Sequence, residues 1–129
     1  MRVSNNGALI ILSAHQNGLP RTYNDGSHKV MLASLDRHKI PYKEVTGCYK
    51  GHKEKSVIIP GEKTRFAETV GRFNRQESYL YLDNERGAWF VDLATEHRVF
   101  AGHFREVPKE VALKHEGWTE SEGRYWVIE

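Results

Sequence analysis

Residues 46–59 read TGCYKGHKEKSVII. Glu44 to Tyr49 and Ser56 to Ile59 have the β-branched and apolar content of two paired strands. Residues 50–55 join them with one glycine, one histidine, three lysines and Glu54. A turn needs fewer chemical types than that, so the joining piece is a candidate for chemistry as well as for geometry. The strand pair also constrains the fold, because its neighbours must either pair with it or cover it.

Downstream, Pro60-Gly61 breaks the second strand, and a helix is predicted over about 62–74. Phe66, Val70 and Phe73, at i, i+4 and i+7, give that helix an apolar face. SYLYL (78–82), the turn DNERG and AWFVDL (88–93) form a hairpin pattern. A short strand is expected around Arg98 to Phe104, and RYWVI (124–128) is expected to pair with a sheet edge. Upstream, Ile40-Pro41 ends a helix, because the residue before proline is driven out of the helical region. That helix is predicted to start at a Ser27 cap and run to about Lys39, with Met31, Leu32 and Leu35 on one face. Before it, HQNGLPRTYNDG reads as a loop, and ALIILSA (8–14) reads as a central strand covered on both faces.

The order strand, helix, strand, strand, helix, strand predicts an α+β fold. Its form would be a ferredoxin-like βαββαβ antiparallel sheet with two helices on one face and extra C-terminal β structure. A chain of 129 residues fits one domain, taken as 1–129. Exposed strand edges in such a sheet favour association, so an oligomer is expected.

Composition narrows the function classes. At 39% hydrophobic and 28% charged the chain is globular rather than disordered. A net charge of +2 is too weak to suggest a nucleic-acid binder by itself. Seven scattered histidines show no HExxH or similar ligand spacing, so no metal site is expected. The single cysteine, Cys48, excludes an intrachain disulfide and makes a reducing cytosol the default. Ala8 to Leu12 is too short an apolar run to span a membrane, and the protein is expected to be intracellular.

Several residues are candidates for chemistry. Glu54 is either a solvated hairpin acid or an acid at a strand mouth that binds a cation or moves a proton. Tyr49 is either a cross-strand packing aromatic or a π-face for a cationic ligand. Gly47 and Gly51 either relieve strain or let a ligand approach the backbone closely. Cys48 reads as a small buried hydrophobe. No GxSxG elbow or phosphate loop is present. The basic cluster Lys50, Lys53, Lys55, Lys63 and Arg65 is interleaved with Glu54 and Glu62 and reads as a solvated rim. Trp89, Phe90, Phe100, Phe104, Trp118, Tyr125 and Trp126 are spread over several elements rather than forming one stripe, and read as core or interface.

From Ser13-Ala14 in the first strand onward, the sequence resembles the bacteriophage S-adenosylmethionine lyases, long described as hydrolases. Thr46-Gly47-Cys48-Tyr49 followed by Glu54-Lys55-Ser56-Val57 carries most of the likeness. Phe104 with Glu106-Val107-Pro108-Lys109, then Arg124 with Trp126-Val127, continue it in register. The likeness covers about residues 8–129, and over roughly 60–100 it is one of pattern alone.

The resemblance implies a small metal-free enzyme without cofactors that acts in the cytoplasm of an infected bacterial host. Its substrate would be S-adenosylmethionine, split into 5′-methylthioadenosine and homoserine lactone so that host restriction loses a required metabolite. It further implies a homotrimer with substrate between subunits, with neither membrane nor nucleic acid as partner. By motif position it implies Glu54 and Tyr49 as catalytic residues. Thr46, Gly47, Cys48 and Ser56 would bind substrate, and Glu68 on the second helix is a reserve acid. Two alternatives stand beside this: a non-catalytic trimer that binds S-adenosylmethionine or an adenine nucleotide, and a small nucleic-acid-binding phage protein using the lysine cluster.

Overall fold

The computed structural model describes residues 7–129, so the first six residues of the expected 1–129 domain lie outside it. In chain order the elements are β1 (Leu9–Ser13), α1 (Arg21–Arg37), β2 (Lys43–Tyr49), β3 (His52–Pro60), α2 (Thr64–Phe73) and β4 (Ser78–Leu82). They continue with β5 (Gly87–Asp92), β6 (Arg98–Val107), α3 (Lys109–Ala112), β7 (Gly117–Ser121) and β8 (Arg124–Ile128).

The expected ferredoxin-like sheet is overturned. Among the described residues, eight antiparallel strands close into a barrel in the order β1-β3-β2-β7-β8-β6-β5-β4. Two segments absent from the sequence-based expectation cause the closure. The first is β7, which pairs with β2 from Thr46↔Glu120 to Tyr49↔Gly117 and with β8 on its other side. The second is the full length of β6, ten residues rather than a short strand, which reaches from β5 to β8. RYWVI therefore pairs on both sides instead of capping an edge. A closed barrel leaves no open edge, so the expectation of association drawn from exposed edges loses its basis.

Alternation along β1 explains the two cores. Ile10, Leu12 and Ala14 face outward and join Met31 and Leu35 of α1, Ala67 of α2, and Val57 and Ile59 of β3. Leu9 points into the barrel with Ile58, Leu82, Ala88, Phe104 and Trp126. ALIILSA is thus covered on both faces, as a continuous apolar run requires.

Helix α1 begins at Arg21, not near Ser27, because Pro20 occupies the N-cap with its φ of −60° already set. Its buried stripe is Asn24, His28, Met31 and Leu35, polar toward the N-terminus and apolar toward the C-terminus. On α2 the buried positions are Ala67 and Gly71, flanked by half-buried Phe66 and Val70, whereas Phe73 is exposed. The β2–β3 connection is shorter than expected. Only Lys50 (φ 50°) and Gly51 (φ 81°) form the turn, and Tyr49 pairs with His52. Positive φ at both central residues is the type I′ geometry that matches strand twist. Glu54 therefore lies within a strand.

Candidate functional site

Strand alternation divides the expected site residues between two faces. Gly47 pairs with Glu54, and Val45 pairs with Ser56. Val45 and Ile58 are in the barrel-interior core, so Gly47, Glu54 and Ser56 belong to that same face. A Cβ placed on Gly47 would lie 3.8 Å from Ser56 Oγ and 3.9 Å from Glu54 Cγ. These three are brought together, and the missing side chain of Gly47 leaves the gap between them open. Ser13, opposite Ser56, donates its hydroxyl to the Lys55 carbonyl at 3.3 Å and accepts the His15 amide at 3.0 Å.

Thr46 and Cys48 sit on the opposite face of β2, with Lys53 and Lys55 of β3. Lys53 Nζ lies 5.8 Å from the ring centre of Trp118, and Trp118 meets Tyr125 edge to face. Tyr49 is at the turn, 59% exposed, with Lys50 Nζ 5.3 Å from its ring centre. Glu68 is not brought to this region. It faces Arg72 across 3.9 Å on α2, and its charge, after burial, helps hold the Tyr79 hydroxyl above its ordinary range.

The hairpin forms one wall of a cleft of about 500 Å³, within the ~300–1,000 Å³ usual for small-molecule sites. Thr46, Lys53 and Lys55 line it from the outward face, and Glu54 lines it as well although its register puts it on the inner face. Arg21, Asn24, Asp25 and His28 contribute from the first two turns of α1, with His15 and Leu19 from the loop before it. None of the α1 or loop residues was expected from sequence. The segment 15–26 reads as a loop rich in turn formers, and nothing local marks half of it as a helix that lays a polar stripe against β3.

Asn24 makes this wall rigid. It is buried, accepts the Gln16 amide at 2.9 Å, and donates to the carbonyls of Gln16 (3.1 Å) and Leu19 (3.3 Å). Gln76 also donates to the His15 carbonyl. His28, likewise buried, holds Glu44 Oε1 at 2.9 Å through Nε2, while its Nδ1 has no hydrogen-bond partner among the described residues. Across the cleft, Lys55 Nζ lies 3.3 Å from Asp25 Oδ1, and Arg21 Nε lies 4.0 Å from Asp25 Oδ2. The cleft therefore presents both signs of charge along a fixed wall.

The two C-terminal motifs meet elsewhere, in the β6–β8 ladder, where Glu106 pairs with Trp126. Arg124 donates to both Glu106 oxygens, at 2.8 and 2.6 Å, and its guanidinium lies 5.7 Å from the Trp126 ring centre. The hydrogen bonds from Arg124 hold the Glu106 carboxyl below its usual range. Phe104 stacks parallel on Trp126 at 6.2 Å. These residues close the barrel wall, a role of packing and pairing.

Among families of known proteins, the model described as the S-Adenosylmethionine lyase family matches residues 10–129, nearly the whole chain. No curated protein matches it.

Proposed function

The chain belongs to the S-adenosylmethionine lyase family, which gives it a lyase activity on that metabolite, and we propose that it forms 5′-methylthioadenosine and homoserine lactone. In this reaction a carboxylate oxygen of the substrate attacks its own γ-carbon. The bond from that carbon to sulfur breaks, and its electron pair neutralises the sulfonium. No water is consumed, and no group of the protein needs to act as a nucleophile.

The observation that carries the proposal is the cleft beside the 46–59 hairpin, with fixed walls and both charges. The substrate is itself a cation with a carboxylate and an ammonium at one end. The work left for the protein is to fold the methionine arm so that oxygen stands behind carbon, in line with the departing sulfur. Such positioning contributes up to ~7–11 kcal/mol in favourable intramolecular cases. Opposite charges cancel as the bond forms, so removal of water also favours the transition state over the ground state.

Glu54, which lines the cleft, orients the ligand through its ribose hydroxyls or amino group, and Gly47 and Ser56 lie beside Glu54 on the barrel-interior face. Thr46 lines the cleft, and Cys48 belongs to the same outward face. Tyr49 offers a π-face that is open to solvent in one chain. A homotrimer with active sites between subunits is part of the same proposal, and the exposed Tyr49 is surface that a neighbouring subunit would cover. Depletion of the metabolite would counter host restriction in the cytoplasm of an infected bacterium.

The test is to incubate the purified protein with S-adenosylmethionine and separate the products by chromatography. Methylthioadenosine with homoserine lactone is the expected result. Homoserine formed directly, with solvent oxygen incorporated, would replace the lyase with a hydrolase. Saturable binding without product would make the protein a binding trimer. Glu54→Gln is expected to lower turnover strongly. A folded, associated and fully active variant would remove Glu54 from the mechanism.

A further inference from the structure

The Asp25–Lys55 ion pair has no structural necessity. Lys55 is exposed, the Asp25 side chain is 36% exposed, and pairs of this kind contribute only ~0–1 kcal/mol to stability. Yet both residues line the cleft, on opposite walls. Asp25 is held within α1 one residue from the Asn24 clamp, and Lys55 is held in β3, whose carbonyl at that position accepts the Ser13 hydroxyl. The two charges are thus carried on rigid elements and separated by 3.3 Å.

We infer that this pair is the recognition element for the amino-acid end of the substrate. The α-carboxylate takes Lys55 and the α-ammonium takes Asp25, exchanging one intramolecular ion pair for two intermolecular ones. The inference rests on the lyase function proposed above and deepens it. It assigns the ammonium to Asp25 and leaves Glu54 for the ribose hydroxyls.

Lysine suits this task better than arginine. A guanidinium grips both oxygens of a carboxylate in a fork, whereas an ammonium is a point charge that holds one. The second oxygen then stays free to attack the γ-carbon. Arg21 Nε lies 4.0 Å from Asp25 Oδ2, whereas Lys55 meets Oδ1.

The experiment compares wild type with Lys55→Met, Asp25→Asn, Lys55→Arg and the charge-reversed double variant Asp25→Lys/Lys55→Asp. For each, KM and kcat are measured with S-adenosylmethionine, together with inhibition by 5′-methylthioadenosine, which has the adenosine but no amino-acid end. Each single neutralisation removes one charge-assisted contact, so KM is expected to rise by about 10- to 100-fold. Inhibition by methylthioadenosine and the urea midpoint should stay unchanged. Lys55→Arg should keep KM and lower kcat, because both carboxylate oxygens are then tied. The double variant should rebuild the ion pair without restoring KM.

Unchanged KM in the single variants would overturn the inference while leaving the lyase function standing. So would equal weakening of substrate and methylthioadenosine, or full rescue by the double variant, since either would show that the pair only shapes the cleft. A wild-type protein inert toward S-adenosylmethionine would overturn both.

Discussion

Gly47→Ala separates the role of the hairpin in folding from its role in chemistry. Gly47 lies in the middle of β2 with no positive φ, so alanine can adopt its backbone. The new methyl would meet Ser56 Oγ at 3.8 Å and Glu54 Cγ and carbonyl oxygen at 3.9 Å, all ordinary van der Waals distances. Nothing has to move. A glycine replaced by alanine at a compatible site stabilises by ~0.4–1 kcal/mol, chiefly by restricting the unfolded chain. For a domain of this size that is a rise in melting temperature of roughly 1–5 °C.

The same methyl fills the gap between Ser56 and Glu54, the acid proposed to orient the substrate. A displacement of about 1 Å in a positioning reaction costs on the order of 10²-fold in rate. Melting temperature should therefore hold or rise while kcat/KM, followed by methylthioadenosine release, falls by one to two orders of magnitude. Gly26→Ala is the control. It lies in α1, a Cβ there meets nothing within 4 Å, and it should stabilise without loss of activity. A Gly47→Ala protein that is as stable as expected and keeps full activity would refute the reasoning, because the Glu54–Ser56 face would then serve packing alone.

Two further outcomes test the fold. Gly61→Ala should destabilise by ~1–3 kcal/mol in urea unfolding, because its Cβ would stand 2.6 Å from Ala8 Cβ and 2.8 Å from the Ala8 carbonyl carbon, where backbone cannot yield. Asp83 accepts hydrogen bonds from the Trp89 indole at 3.0 Å and from the amides of Gly87 and Glu85, and the indole bond leads in holding its carboxyl below the ordinary aspartate value of 3.8. With the folded value depressed, its contribution is present above about pH 4 and is lost as pH falls through the folded value. Asp83→Ala should therefore lower the urea midpoint at pH 7, and the difference from wild type should shrink below about pH 4.

Much of the local structure was legible, because it is written in periodicity and punctuation. The largely apolar 8–14 run gave a strand buried on both faces, and the alternating SYLYL and AWFVDL gave the β4–β5 hairpin. Closure was not legible. GWTES in β7 is short, half polar and follows a four-residue helix, so neither alternation nor length marks it as the strand that fills the gap between β2 and β8. The start of α1 was hidden for a similar reason. Asn24, Asp25 and Gly26 favour turns locally, and the three hydrogen bonds of Asn24, the φ preset by Pro20 and the burial of the same stripe further along override them.

The site was half legible, and the reason lies in the two-residue period of β3. Glu54-Lys55-Ser56-Val57 reads as one motif, but a strand sends its members alternately to opposite faces. Glu54 and Ser56 belong to the barrel interior with Gly47, while Lys55 reaches Asp25 across the outer cleft and Val57 is packed in the core beneath the helices. One short run thus supplies an acid to one face, a cation to the other and an anchor that fixes both. A substitution that slips β3 by one residue would exchange all these roles at once. This is why Val57, fully buried and distant from any chemistry, constrains the geometry of the site as firmly as the charged residues beside it.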